Sequence, residues 1–266
     1  MSVRRILLTL SLLTLCLLRG TAQDFKAYPN EVAQGYPYWF YDPDQGETPP
    51  PEAHHPLLIF LHGASLCGRN LDRVRRYGPI AAMAKGACIG SYIVAPQNPG
   101  GAWQPGRIWR IVEWAKKHYP VDTTRIYVYG MSLGGYGTID LAATYPDRIA
   151  AAMAICGGGS VRDLSGLSRL PLWVIHGTAD RAVSIRESER VVKAIQDTGD
   201  DSRLLFTRLP GVDHGRPARL FYMNLTYDWL FSHSTTDPGR PVDRSFSLTP
   251  EMLQQAYADL RVRHYE

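Results

Sequence analysis

The chain has 266 residues, 45% hydrophobic and 20% charged, with 29 basic side chains against 25 acidic ones. That composition supplies a sizeable apolar core and excludes a disordered chain, a collagen-like repeat and a small disulfide scaffold. Part of the positive charge belongs to the first 22 residues: Arg4 and Arg5 precede an apolar run over 6–18, and Gly20-Thr21-Ala22 follows. This is the pattern of a secretory signal peptide, and the run is shorter than the roughly 20 residues that a membrane span needs. Removing it takes away three arginines and no acids, leaving 26 basic against 25 acidic side chains. A mature chain so near neutrality has no global field for nucleic acid or an anionic membrane, so neither is predicted as a partner. The leader predicts a secreted or periplasmic protein without stable membrane association. Cys16 falls inside the leader, and Cys67, Cys88 and Cys156 are left to form one disulfide and one free thiol in an oxidising compartment.

An aromatic strand is predicted over 36–41, followed by a proline-rich loop over 42–56 that cannot lie inside a sheet. Short apolar runs then fall at 57–61, 92–95, 126–129, 150–155, 172–175 and 204–209. They are continuous rather than alternating, as strands are when helices cover both faces of a parallel sheet. Helical periodicity lies between them, at 108–118, 133–144, 186–197 and 218–231. The alternation predicts an α/β fold with a doubly wound, mostly parallel sheet, whose ligands sit beyond the carboxyl ends of the strands. One domain is predicted over 23–233. Residues 234–266 form a C-terminal extension with a helix near 249–262, opened by Pro250 at its first position.

The residues that follow the strands carry the chemistry. After 126–129 comes Gly130-Met131-Ser132-Leu133-Gly134, a G-x-S-x-G segment at a strand-to-helix turn, where a serine is strained and exposed above the sheet. A serine hydroxyl needs a base, and the base needs an orienting acid. Asp180 follows the strand 172–175 and His214 follows 204–209, in the order serine, acid, histidine. Asp213 reads as a turn residue beside His214, while Asp140 and Asp147 belong to the helix after the serine. His54, His55 and His118 read as solvent-exposed, and His176 as shaping the acid loop. Backbone N–H groups at Leu133 and Ala64 are the predicted oxyanion donors. Trp103 and His62 are candidates for the substrate pocket, Trp103 with an equal claim as core aromatic. Arg69, Arg73, Arg75 and Arg76 read as a solvated helix face. No H-E-x-x-H or Cys/His spacing appears, and neither a metal nor another cofactor is predicted.

Phe60-Leu61-His62-Gly63, Ala95-Pro96-Gln97 with Trp103, the run from Arg125 to Thr138 around Ser132, Tyr145-Pro146-Asp147, His176-Gly177-Thr178-Ala179-Asp180 and Asp213-His214-Gly215 together resemble one family. It is the secreted α/β-hydrolase group of peptidase-like hydrolases and carbohydrate esterases, related to feruloyl esterases and to the phospholipase/carboxylesterase family. The resemblance runs from about Tyr36 to Trp229. It implies an α/β-hydrolase fold, a Ser132–Asp180–His214 triad, and hydrolysis of a small-molecule or polysaccharide-borne ester through an acyl-enzyme. A serine peptidase or amidase of the prolyl-oligopeptidase-like type and a non-catalytic carbohydrate-binding relative remain as alternatives. Many relatives insert a helical cap at the position of 156–171. That span is too short for one here, so an open site without a cap domain is predicted, with a flexible start at Gly157-Gly158-Gly159. The tail after residue 232 is the other segment that could fold over the site.

Overall fold

The computed structural model describes residues 25–45 and 53–261; the predicted leader and residues 46–52 of the proline-rich loop lie outside them. The strands are β1 (Lys26–Tyr28), β2 (Tyr38–Tyr41), β3 (His55–Leu61), β4 (Tyr92–Pro96), β5 (Val121–Met131), β6 (Ala151–Ile155), β7 (Leu172–Gly177) and β8 (Leu204–Leu209). They form one sheet in the order β1-β2-β4-β3-β5-β6-β7-β8. β1 and β2 are antiparallel to their neighbours and every later pairing is parallel.

Side-chain alternation explains why the strands are apolar throughout. In β3, Leu58 and Phe60 enter one core cluster while Leu57, Ile59 and Leu61 enter the other. Trp39 and Tyr41 of β2 divide from Tyr38 and Phe40 in the same way. Helices α2 (Pro105–His118), α3 (Leu133–Thr144) and α4 (Ile185–Gln196) cover the second face. In α2 the buried residues include Ile108, Ile111, Val112 and Ala115, one stripe at helical spacing. α4 repeats that spacing with Ser188, Val191, Val192 and Ile195, and Ser184 caps its start. The first face is covered by α1 (Pro79–Met83) and α5 (Asn224–Phe231).

The helix predicted over 218–231 is divided. A 3-10 segment runs from Arg216 to Tyr222, Met223 is extended, and only then does α5 begin. The predicted terminal helix is likewise two short pieces, α6 (Pro250–Gln254) and α7 (Ala258–Arg261). Residues 234–244 follow the edge where the strands begin. Thr235 N–H donates to Thr124 O, Val242 N–H to Ser202 O, and the Arg240 guanidinium to the carbonyls of Ile149, Ala150 and Arg169. Leu248, Leu253, Ala256 and Leu260 then enter the first-face core, and Arg219 donates to Leu253 O. The tail is therefore anchored opposite the edge that carries Ser132, and on the turn 216–222.

No disulfide joins Cys67, Cys88 and Cys156 to one another, because Cys67 and Cys156 are free thiols. Gly157-Gly158-Gly159 is buried rather than flexible. A methyl at Gly157 would meet the Gly135 backbone at 2.6 Å, so glycine is there for close approach to α3. Asp140, buried in α3, fixes the same loop by accepting from Ser160 N–H (2.7 Å) and Val161 N–H (3.1 Å).

Candidate active site

β5 ends and α3 begins at one residue, Ser132, whose φ of 59° and ψ of −123° put a non-glycine residue in strained territory. The turn is this tight because its neighbours leave no room. A methyl at Gly134 would overlap the Leu61 carbonyl, and one at Gly130 would meet it at 2.5 Å. Ser132 N–H donates to Ile155 O at 2.9 Å, tying the elbow to β6. The serine side chain makes no capping bond to the helix, so its hydroxyl is not spent on structure.

Asp180 and His214 come from successive loops that are stitched together. Thr178 N–H donates to Leu209 O (2.9 Å), Ala179 N–H to Val212 O (3.0 Å), and Gly211 N–H to Thr178 Oγ1 (2.9 Å). That stitching brings His214 Nδ1 to 2.6 Å from Asp180 Oδ2. The Asp180 carboxyl is fully buried, while the His214 side chain keeps 26% of its surface. Burial alone would raise the carboxyl pKa, but donors from Val183, His214 and Ala182 outweigh it and hold Asp180 below the usual carboxylate range. The rival acids are committed elsewhere. Asp140 anchors the loop already described, exposed Asp147 pairs with Arg169, and Asp213 accepts from Gly215 N–H and Arg216 N–H in its own turn.

The loop after β3 lies directly beside Ser132. A methyl at Gly63 would sit 3.4 Å from Ser132 Cβ and 3.2 Å from Met131 O. Leu133 opens α3 and Ala64 opens a 3-10 turn, so neither N–H has a partner within its own helix. The loop is held from behind. Tyr77 Oη accepts from Gly63 N–H at 2.6 Å, and the Trp103 indole N–H donates to His62 O at 3.2 Å. Trp103 is 2% exposed and His62 0%, so neither side chain presents surface to a substrate; both shape the loop. Arg73 donates to Ser65 O and Arg75 lies over Trp39 at 4.9 Å, so these two arginines are engaged with the protein. His55 also departs from its predicted exposure. It starts β3 and bonds Asp44 Oδ1 at 3.1 Å, whereas His54 and His118 are exposed.

His62 Nε2 accepts from Asn98 N–H (3.0 Å) and Nδ1 lies 2.8 Å from Gly63 O, so the proton sits on Nδ1 in a neutral ring. Burial pushes its pKa down to about 4, and also lowers those of His176 and His233. A histidine depressed in the folded state contributes stability above its unfolded pKa and loses it as pH falls. Stability should therefore fall between about pH 6.5 and about pH 4, with His62 alone accounting for about 3 kcal/mol. Urea unfolding at a series of pH values checks this. The His62→Asn variant should lose part of the slope in that window, and an unchanged slope would contradict the assignment.

Among the described residues, Cys156, His176 and Asp180 bring potential metal-ligand atoms within 4.8 Å of one another. Asp180 Oδ2 already binds His214 and contacts His176, so an ion there would compete with the acid–histidine pair. No described helix is long and apolar enough to cross a membrane.

An eight-stranded, mostly parallel sheet with a serine elbow, and an acid and a histidine on the following loops, has the fold of the α/β-hydrolases. No protein-family model matches the chain. Its curated relatives include a bifunctional acetylxylan esterase/xylanase of Neocallimastix patriciarum, 28% identical over 147 residues, which are 53% of this chain and 22% of that protein. They also include poly(3-hydroxyalkanoate) depolymerase C of Paucimonas lemoignei, 32% identical over 124 residues, 40% of this chain and 28% of that one. The chain thus spans about a quarter of the length of these relatives. Among solved structures, a thermostable esterase superposes with a TM-score of 0.64 at 25% identity, over 79% of this chain and 63% of that chain. A ferulic acid esterase of Anaeromyces mucronatus superposes at 0.55 and 16% identity, over 82% and 91% of the two chains. The solved structures share the α/β-hydrolase fold, and esterases recur among the proteins the chain is similar to.

Proposed function

We propose that the protein is a secreted serine esterase that removes short acyl or aryl groups from carbohydrate-borne esters through an acyl-enzyme. The observation that carries the reading is the 2.6 Å bond between His214 Nδ1 and buried Asp180, on loops at the same sheet edge as the strained Ser132. Ser132 Oγ attacks the ester carbonyl and His214 takes its proton, with Asp180 fixing the tautomer and supporting the imidazolium. The N–H groups of Leu133 and Ala64 receive the oxyanion, each contributing on the order of 3 kcal/mol to the transition state. Collapse expels the alcohol with the proton from His214, and water then enters by the same route to release the acid. The acetylxylan and ferulic acid esterases among the relatives and neighbours support a carbohydrate-linked ester over a lipid.

The loop at the usual cap position supports an open site. Residues 156–171 contain one 3-10 turn, Ser165–Arg169, and their glycines are packed onto α3. Added methylenes of a long acyl chain are worth about 0.8 kcal/mol each only where they become buried. The test is a p-nitrophenyl ester series from acetate to palmitate, run beside acetyl, feruloyl and glucuronoyl carbohydrate esters and a peptide anilide. Catalytic efficiency should fall with chain length, without a jump when substrate forms droplets. A preference for palmitate or for the anilide would contradict the reading.

A further inference from the structure

Asp180 serves two histidines. Its Oδ2 lies 2.6 Å from His214 Nδ1 and 3.2 Å from His176 Nε2, while its Oδ1 accepts from Ala182 N–H (2.9 Å) and Val183 N–H (2.8 Å). The His176 side chain is fully buried at the end of β7. Its Nε2 also lies 3.0 Å from Val183 O. Both neighbours of Nε2, a carboxylate and a carbonyl, only accept, so Nε2 carries a proton and donates. On the other side of the ring, Nδ1 is 2.7 Å from the hydroxyl of Ser188, which itself reaches Gly157 O at 2.8 Å. The Ser188 hydroxyl therefore links the ring to the loop behind the nucleophile elbow, and the buried stripe of α4 holds it there.

We propose that His176 is a positioning residue for the hydrolytic site, a second imidazole that clamps Asp180 and tempers the pull of its carboxylate on His214. The inference rests on the Ser132–His214–Asp180 reading. Two consequences follow from the geometry. Swinging Asp180 Oδ2 away from His214 also breaks the contact with His176 Nε2–H, so the clamp holds the pair in register. The Nε2–H, bonded to Val183 O and 3.2 Å from Asp180 Oδ2, also lowers the negative potential at the oxygen that supports the His214 imidazolium. Without it, Asp180 becomes a stronger acceptor toward His214 Nδ1–H. The other titratable groups facing this cluster are Cys156 from the end of β6 and Asp213 from the histidine loop, with exposed Arg181 and Arg216 flanking the two acids. None of them is altered in the test.

The experiment is the pH profile of kcat and kcat/KM for His176→Leu, His176→Gln and Ser188→Ala, with fluorophosphonate labelling of Ser132 followed in each. His176→Leu should move the acid limb of kcat/KM up by about one pH unit and lower kcat about tenfold with KM held. His176→Gln, whose amide can place an N–H near the Nε2 position, should return the limb most of the way. Ser188→Ala removes the support behind Nδ1 and the bond to Gly157 O but leaves His176 Nε2 beside Asp180, so it should move the limb less, in the same direction; it carries the test if His176→Leu fails to fold. An acid limb that stays in place in the folded variants would overturn the clamp, as would equal losses in the Leu and Gln variants. If the unaltered protein is not labelled at Ser132, the site reading fails and takes the clamp with it; labelling with an unmoved limb removes the clamp alone.

Discussion

Ser132→Ala should lower kcat/KM for any ester substrate on the order of 10⁴-fold or more, while the protein folds as before. The catalytic half of the expectation follows from the proposed nucleophile: with no oxygen to attack the carbonyl, His214 and the proposed oxyanion donors retain only their effect on water. The structural half follows from what the side chain does not do. Ser132 makes no capping bond through its side chain, and the elbow is held by its backbone N–H on Ile155 O, which alanine keeps. The strained φ of 59° is common to both residues, so the urea midpoint should not fall. Activity surviving in the alanine variant would mean that another group is the nucleophile.

Asp180→Asn should cost about 10³- to 10⁴-fold in kcat with KM little changed. The surroundings dictate how the amide sits. Two backbone N–H groups, of Ala182 and Val183, point at Oδ1, so the asparagine oxygen takes that place. Its NH₂ group then faces His214 Nδ1, where the carboxylate oxygen had been. A donor there forces Nδ1 to accept, which leaves the ring proton on Nε2 and removes the lone pair that must receive the serine proton. The same NH₂ meets the N–H of His176, so the pair is opposed from both sides. A loss of less than tenfold would show that Asp180 is not the orienting acid.

The sheet was legible in the sequence where strands are buried on both faces, because both sets of alternating side chains are then apolar. β3, β4, β6 and β7 all read this way. β1 was not legible: Lys-Ala-Tyr is three residues with no apolar run, and its pairing with β2 defines it. The first half of β5 was missed because Asp122 to Arg125 are polar and either exposed or only partly buried. Periodicity ran 218–231 together as one helix, although Met223 breaks it with an extended backbone.

The residues proposed to carry the chemistry stood out because each follows a strand and has a distinctive neighbourhood. The groups that support them did not. Tyr77 reaches Gly63 across 14 positions, Asn98 reaches His62 across 36, and Ser188 reaches Gly157 across 31. Each is a polar residue in an unremarkable stretch, and only the packed fold brings it to its partner. Trp103 and His62 show the converse. Their type and position after strands pointed to the pocket, while burial assigns them to the loop that shapes it. Asp140 reads in sequence as one more helix residue; its partners lie 20 and 21 positions away, in the loop it holds.

In the proposed mechanism an ester's acyl group passes covalently through Ser132 on its way to water. The direct measurement is acid quenching during turnover of p-nitrophenyl acetate, followed by peptide mapping by mass spectrometry. One acetyl group should appear on Ser132, accumulating further in a variant whose deacylation is slowed. Turnover with no acylated peptide in either protein, or an acetyl group on any other residue, would contradict it.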